Sequence, residues 1–142
     1  VASDVLTRAA MECDMIVGNA EEFGFIAGDY DKGLDKARKL SEGMVEIFIY
    51  KRGSECAITF SGGKEIRTGI YPVDALKPTG AGDSFMAGLM TSLADGHDLE
   101  TAILRGSACA SITVSRPGCA PAMADTETLE SFLADHPGPT TA

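Results

Sequence analysis

The run Thr79-Gly80-Ala81-Gly82-Asp83-Ser84-Phe85 constrains this chain more than any other stretch. Two glycines and an alanine precede an acid, and an amphipathic helical pattern follows at once. Glycine lets a backbone turn tightly and come close to a ligand. The exposed N–H groups at the start of the helix, with the positive end of its dipole, then form a site for a phosphate. An acid inside such a site repels phosphate unless its task is to take a proton from the group that attacks it. Carboxylate plus anion hole is the arrangement that phosphoryl transfer to an alcohol requires. The plainer alternative is a Gly-rich loop that caps a helix, with Asp83 a first-turn acid favoured by the dipole. The string lacks both the Gly-Lys-Ser/Thr of a P-loop and the third glycine of a dinucleotide fingerprint, so its context decides.

That context is α/β. Ser3 or Asp4 can cap a short helix running to Met11. Asp14 to Gly18 reads as a buried parallel strand, followed directly by Asn19-Ala20-Glu21-Glu22 and a helical turn that stops at Gly28. From Asp31, the spacing of Leu34, Ala37 and Leu40 predicts an amphipathic helix ending near Gly43. Val45 to Tyr50 is the clearest strand, rich in β-branched and aromatic residues. Lys51-Arg52-Gly53-Ser54 turns into a strand from Cys56 to Phe60, and Ser61-Gly62-Gly63-Lys64 is a hairpin signal leading to a strand from Glu65 to Tyr71. A mixed sheet with antiparallel strands is therefore expected.

The helix after the glycine motif is expected to bury Phe85, Met86, Leu89, Met90 and Leu93 and to end at Asp95-Gly96. Asp98 caps the next helix, whose Gly106 to Ser111 face is unusually small; close packing against another helix explains that better than contact with a flat ligand ring. Arg116 to Pro121 is a loop, Thr126 to Leu133 a last helix, and Pro137-Gly138-Pro139 a frayed tail.

Composition removes several function classes. A net charge of −9 argues against a nucleic-acid partner. No segment approaches the roughly 18 continuous apolar residues of a membrane span. Cys13, Cys56, Cys109 and Cys119 lack metal-ligand spacing and read as buried free thiols of a reducing, cytoplasmic compartment. His97 and His136 have no catalytic partner at useful spacing and read as exposed. The start Val1-Ala2-Ser3-Asp4 has no initiator Met and leads straight into helix-like sequence, which reads as a piece of something longer.

Together these motifs resemble the C-terminal half of a ribokinase-like (PfkB) carbohydrate kinase, over nearly the whole chain. Gly80-Ala81-Gly82-Asp83 is similar to that family's anion hole and catalytic base. Asn19-Ala20-Glu21-Glu22 is similar to its N-x-x-E motif, and Tyr50-Lys51-Arg52-Gly53 to the strand-end segment that contacts the nucleotide. The Ala108 to Pro121 stretch, which includes Ser111 and Gly118, resembles the helix and loop flanking the adenine.

The resemblance implies a three-layer α/β/α sandwich, of which residues 1–142 form the C-terminal nucleotide-binding portion, with the N-terminal sugar-binding half and its lid absent. It implies ATP and Mg2+ as cofactors. Asp83 is then the general base, the amides of Ala81, Gly82 and Asp83 stabilise the transferred group, and Glu22 helps hold magnesium through water. Glu21 beside it and a plain turn role for Asn19 stay open, and at most one of Lys51 and Arg52 reaches a phosphate. Many relatives carry an acid where this chain has Lys77, which leaves a potassium site open. The Leu76-Lys77-Pro78 variant and Gly69 to Val73 look most like the family's kinases of myo-inositol catabolism, which phosphorylate 5-dehydro-2-deoxygluconate. Alternatives are a fructokinase, a 2-keto-3-deoxygluconokinase or a nucleoside kinase of the same family, or a non-catalytic nucleotide-sensing domain. The chain alone is expected to be inactive, and a sheet edge left without its neighbours favours a homo-oligomer.

Overall fold

The computed structural model describes residues 2–43, 45–136 and 138–140. The chain divides into two compact units, with the boundary between Arg67 and Thr68.

The first unit holds helix α1 (Ala2–Ala10), strand β1 (Met15–Asn19), helices α2 (Ala20–Ala27) and α3 (Gly33–Ser41), and strands β2 (Ile47–Lys51) and β3 (Ala57–Ser61); β4 (Lys64–Thr68) completes the sheet. The strand order is β1-β2-β3-β4. β1 and β2 are parallel, with Asn19 opposite Lys51, while β2 and β3 are antiparallel, with Phe48 opposite Phe60. A parallel pair needs a long crossover, which α2 and α3 supply. The β3–β4 hairpin turns through Gly62 and Gly63, at φ 57° and 74°, the left-handed pair that a tight two-residue turn demands. Phe48, Tyr50, Ile58 and Phe60 point to one face of the sheet and pack with Phe23, Ala37 and Leu40 of α2 and α3. The Phe23 ring lies 4.9 Å from Phe48 and 5.4 Å from Tyr50.

The second unit consists of α4 (Ala81–Ala94), α5 (Leu99–Val114), a short 3-10 turn at Ala120–Ala122 and α6 (Thr126–Asp135). Asp98 and Asp125 cap α5 and α6 by accepting from the N–H of Thr101 and Thr128, each at 2.9 Å. The N–H and hydroxyl of Thr101 lower the Asp98 pKa, and the hydroxyl and N–H of Thr128 lower that of Asp125. α4 and α5 approach closely because glycines face each other: a Cβ added to Gly88 would lie 3.0 Å from the Gly106 Cα.

The mixed α/β sheet is as expected; several local expectations need correction. α1 already includes Asp4 in its first turn, so Asp4 is no cap, and the Ser3 side chain lies outside the described residues. A 3-10 turn at Tyr30–Lys32 precedes α3, which starts at Gly33 rather than Asp31. β4 ends at Thr68, not Tyr71. Met90 is exposed, and the buried face of α4 is Ser84, Phe85, Gly88, Leu89 and Ser92: the helix turns its small residues inward because α5 is too close for larger ones. Cys56 and Cys109 are buried thiols, but Cys13 and Cys119 are exposed. His136 is half-buried, with its ring stacked 3.8 Å from that of Phe132. Pro137 lies outside the described residues; beyond it, Thr140 is tied down rather than frayed, since its N–H donates to the Ile70 carbonyl at 2.8 Å.

Candidate functional site

In the first unit, the parallel register brings Asn19 and Lys51 side by side at the carboxyl ends of β1 and β2. Ligands of open α/β sheets gather at that end. Asn19 also opens α2: its Oδ1 accepts from Glu22 N–H at 2.9 Å, and Glu22 Oε2 accepts from Asn19 N–H at 2.7 Å. The N-x-x-E motif is thus a reciprocal capping box, a role that sequence reasoning missed, although the four-residue spacing carries it. Arg52 forms an ion pair with Glu55 at 2.8 Å. Gly53 sits exposed in the following turn at φ 56°.

Among the described residues, no group of three or more His, Cys, Asp or Glu could enclose a metal ion. A lone carboxylate with one oxygen already engaged fits magnesium held chiefly by water and phosphate oxygens. Glu22 therefore suits an ion at one remove, beside its structural role. Two substitutions separate the roles. Glu22→Ala loses the capping acceptor and is expected to lower stability by about 1 kcal/mol, measured by urea unfolding. Glu22→Gln keeps an acceptor there and is expected to remain close to the parent stability.

In the second unit, Gly80 opens α4 in the left-handed region at φ 86°. Its lack of a side chain matters twice, since a Cβ there would lie 2.8 Å from Cys119 Sγ. The Ala81 N–H turns back to the Pro78 carbonyl at 3.3 Å, and Ser84 N–H to the Gly80 carbonyl at 3.0 Å. Between them stand the N–H groups of Gly82 and Asp83, in the first helical turn, where the intrahelical ladder offers no acceptor. Asp83 is exposed on that same turn. A small, rigid support lies beneath: Thr113 Oγ1 donates to Ser84 Oγ at 2.7 Å, and Ser84 Oγ donates to the Cys109 carbonyl at 3.0 Å. Sequence reasoning missed Ser84 and Thr113, because two hydroxyls 29 residues apart carry no local signal.

The other expected nucleotide residues are placed less uniformly. Ala108 is fully buried, packed with Tyr71, Cys109, Ile112 and Leu129. Ser111 spends its hydroxyl on the Tyr71 carbonyl at 2.7 Å. In this structure both serve helix packing, the explanation favoured above. Gly118 lies exposed in the loop after α5 at φ 85°.

Each unit thus carries its motif at a helix start, Asn19 opening α2 and Gly80 opening α4. The pfkB family carbohydrate kinase pattern matches residues 2–126, and the chain belongs to that family. It is similar to 5-dehydro-2-deoxygluconokinase of Geobacillus kaustophilus (strain HTA426), at 33% identity over 90% of this chain and 39% of the relative. The chain thus spans about two fifths of the length of the curated relatives it matches. Among solved structures it resembles ribokinase from Thermotoga maritima, with TM-score 0.82, 25% identity, and coverage of 90% of this chain and 44% of that one. A putative ribokinase II from E. coli, in complex with ATP and Mg2+, shares the fold with TM-score 0.81 at 24% identity, over 94% of this chain and 43% of that one. The fold is therefore ribokinase-like. Among the described residues, no helix is long and apolar enough to cross a membrane.

Proposed function

We propose that this chain is the C-terminal nucleotide-binding portion of an ATP-dependent kinase for a hydroxyl of a sugar or sugar acid, with 5-dehydro-2-deoxygluconate as substrate. The observation that carries this reading is the opening of α4, where left-handed Gly80 presents first-turn N–H groups next to the exposed carboxylate of Asp83. The name of the relatives supports the choice of sugar acid.

Asp83 takes the proton from the attacking hydroxyl as its oxygen forms a bond to the γ-phosphorus. The bond from that phosphorus to the bridging oxygen breaks, and ADP leaves with the electron pair. The N–H groups of Gly82 and Asp83 stabilise the charge that develops on the transferred group. Lys51, at the strand end opposite Asn19, is the nucleotide-contacting cation. Glu22 would help hold magnesium through water, and the ion would supply neutralisation of phosphate charge. Glu22→Gln is accordingly expected to raise the magnesium concentration for half-maximal turnover about tenfold; an unchanged requirement removes Glu22 from that role.

The direct test is ADP release by the full-length protein that contains this chain, with MgATP and a panel of sugars. The expected result is preferred turnover of 5-dehydro-2-deoxygluconate over fructose, ribose and 2-keto-3-deoxygluconate. Preference for another sugar keeps the phosphoryl transfer and discards the substrate. Nucleotide binding with no sugar-stimulated ADP release discards the enzyme and leaves a nucleotide sensor.

A further inference from the structure

Lys77 makes contacts that the chemistry above does not use. Its ammonium donates to the Thr79 carbonyl at 2.9 Å and to the Thr113 carbonyl at 3.1 Å. Thr113 is the penultimate residue of α5, so its carbonyl belongs to the negative end of that helix. Thr79 immediately precedes Gly80, and its carbonyl shares a peptide plane with the Gly80 N–H. The main chain repeats the link, because the N–H groups of Leu76 and Lys77 both donate to the Val114 carbonyl, at 2.8 and 3.3 Å.

A lysine that merely caps a helix C-terminus needs only the carbonyls of that helix. The bond to Thr79 goes further, since Thr79 is no part of α5. An ammonium shared between the two carbonyls fixes the plane of the Thr79–Gly80 peptide against the end of α5. That peptide sets the direction in which α4 begins. The Thr113 hydroxyl holds the other side of the same joint through Ser84, the residue after Asp83. The charge on Lys77 has the same sign as the N-terminal end of the α4 dipole.

We propose that Lys77 is a positioning residue for the phosphate site, a built-in cation that locks the Thr79–Gly80 peptide to the end of α5 and so aims the Gly82 and Asp83 N–H groups at an anion. The inference rests on the kinase reading and deepens it. It needs no contact between Lys77 and the substrate.

The test is calorimetric binding of inorganic tripolyphosphate to the full-length protein and to two variants, Lys77→Ala and Lys77→Met. Both are expected to bind about tenfold more weakly, the size of effect expected from losing a charge-assisted hydrogen bond. Alanine lacks the part of lysine that n-propylammonium would replace. Adding n-propylammonium chloride is therefore expected to restore binding in Lys77→Ala but not in Lys77→Met, whose side chain fills the space. Tetramethylammonium chloride at equal ionic strength should restore neither. Parent-like binding in either variant overturns the proposal, and so does a loss in Lys77→Ala that propylammonium fails to reverse. If the parent protein does not bind tripolyphosphate, this inference falls, while the kinase reading stands or falls on sugar-stimulated ADP release.

Discussion

Replacing Asp83 with asparagine is expected to lower turnover by about 10²–10⁴-fold, the usual worth of a positioned general base, while nucleotide binding persists. Asparagine has nearly the same shape and can still sit in the first turn of α4, so the glycine loop keeps its geometry. What it cannot do is take a proton from an attacking hydroxyl. Loss of the favourable charge at the helix N-terminus costs about 0.5 kcal/mol, too little to unfold the protein. Removing a negative charge beside the phosphate site should leave nucleotide affinity equal or tighter. Steady-state ADP release and calorimetry on the full-length protein measure the two effects separately. A variant that turns over at the parent rate would show that Asp83 is only a first-turn acid. Loss of both binding and turnover would place its role in the loop rather than in proton transfer.

The largest effect on stability is expected at Gly106. A Cβ on this residue would lie 2.7 Å from the Phe85 carbonyl oxygen, 3.2 Å from the Phe85 ring and 3.3 Å from the Leu89 nitrogen. Two of these are backbone atoms of α4, so relief requires the helices to separate rather than a side chain to rotate. Gly106→Val overpacks the interface and is expected to destabilise by about 3 kcal/mol, a large part of the stability of an ordinary domain. Gly106→Ala should fall between the two, because alanine's better helix propensity, about 1 kcal/mol, offsets part of the clash. Urea unfolding of the three proteins gives the order. A valine variant within about 0.5 kcal/mol of the parent, the range of an unremarkable surface change, would show that α4 and α5 are not held at this distance. Because α4 carries Asp83 in its first turn, the folded fraction of Gly106→Val should also show reduced turnover.

Sequence patterns located most elements because their signals are local. Gly62-Gly63 announced the hairpin, Asp98 the start of α5, and Gly28 the end of α2, which closes in the left-handed region at φ 72°. The Gly80-Ala81-Gly82-Asp83 string was readable for the same reason: its turn, helix start and acid lie within four residues. Boundaries were less secure where two structures compete for the same residues, as in the 3-10 turn before α3.

The face that α4 buries was not readable. Hydrophobic spacing put Met90 inside, whereas the structure exposes it and buries Gly88 and Ser92. Helical periodicity marks large apolar side chains, but a close helix–helix contact selects small ones, and which rule wins depends on the partner helix. The N-x-x-E motif shows another limit. Its spacing fits both a capping box and a metal-assisting acid, and the Asn19–Glu22 hydrogen bonds show the first role while leaving the second to solution measurement.

By itself, then, the sequence determined what adjacent residues can settle: the order of helices and strands, the hairpin, the Asp98 cap, and a glycine loop with an acid in place. Only the tertiary structure decided which distant groups meet: Asn19 with Lys51 across parallel strands, Ser84 with Thr113, and Lys77 with the end of α5. The physical reason is range. Backbone preferences act over a few residues and leave a signature in the string, whereas a hydrogen bond between residues 36 apart exists only after packing has closed the loop between them.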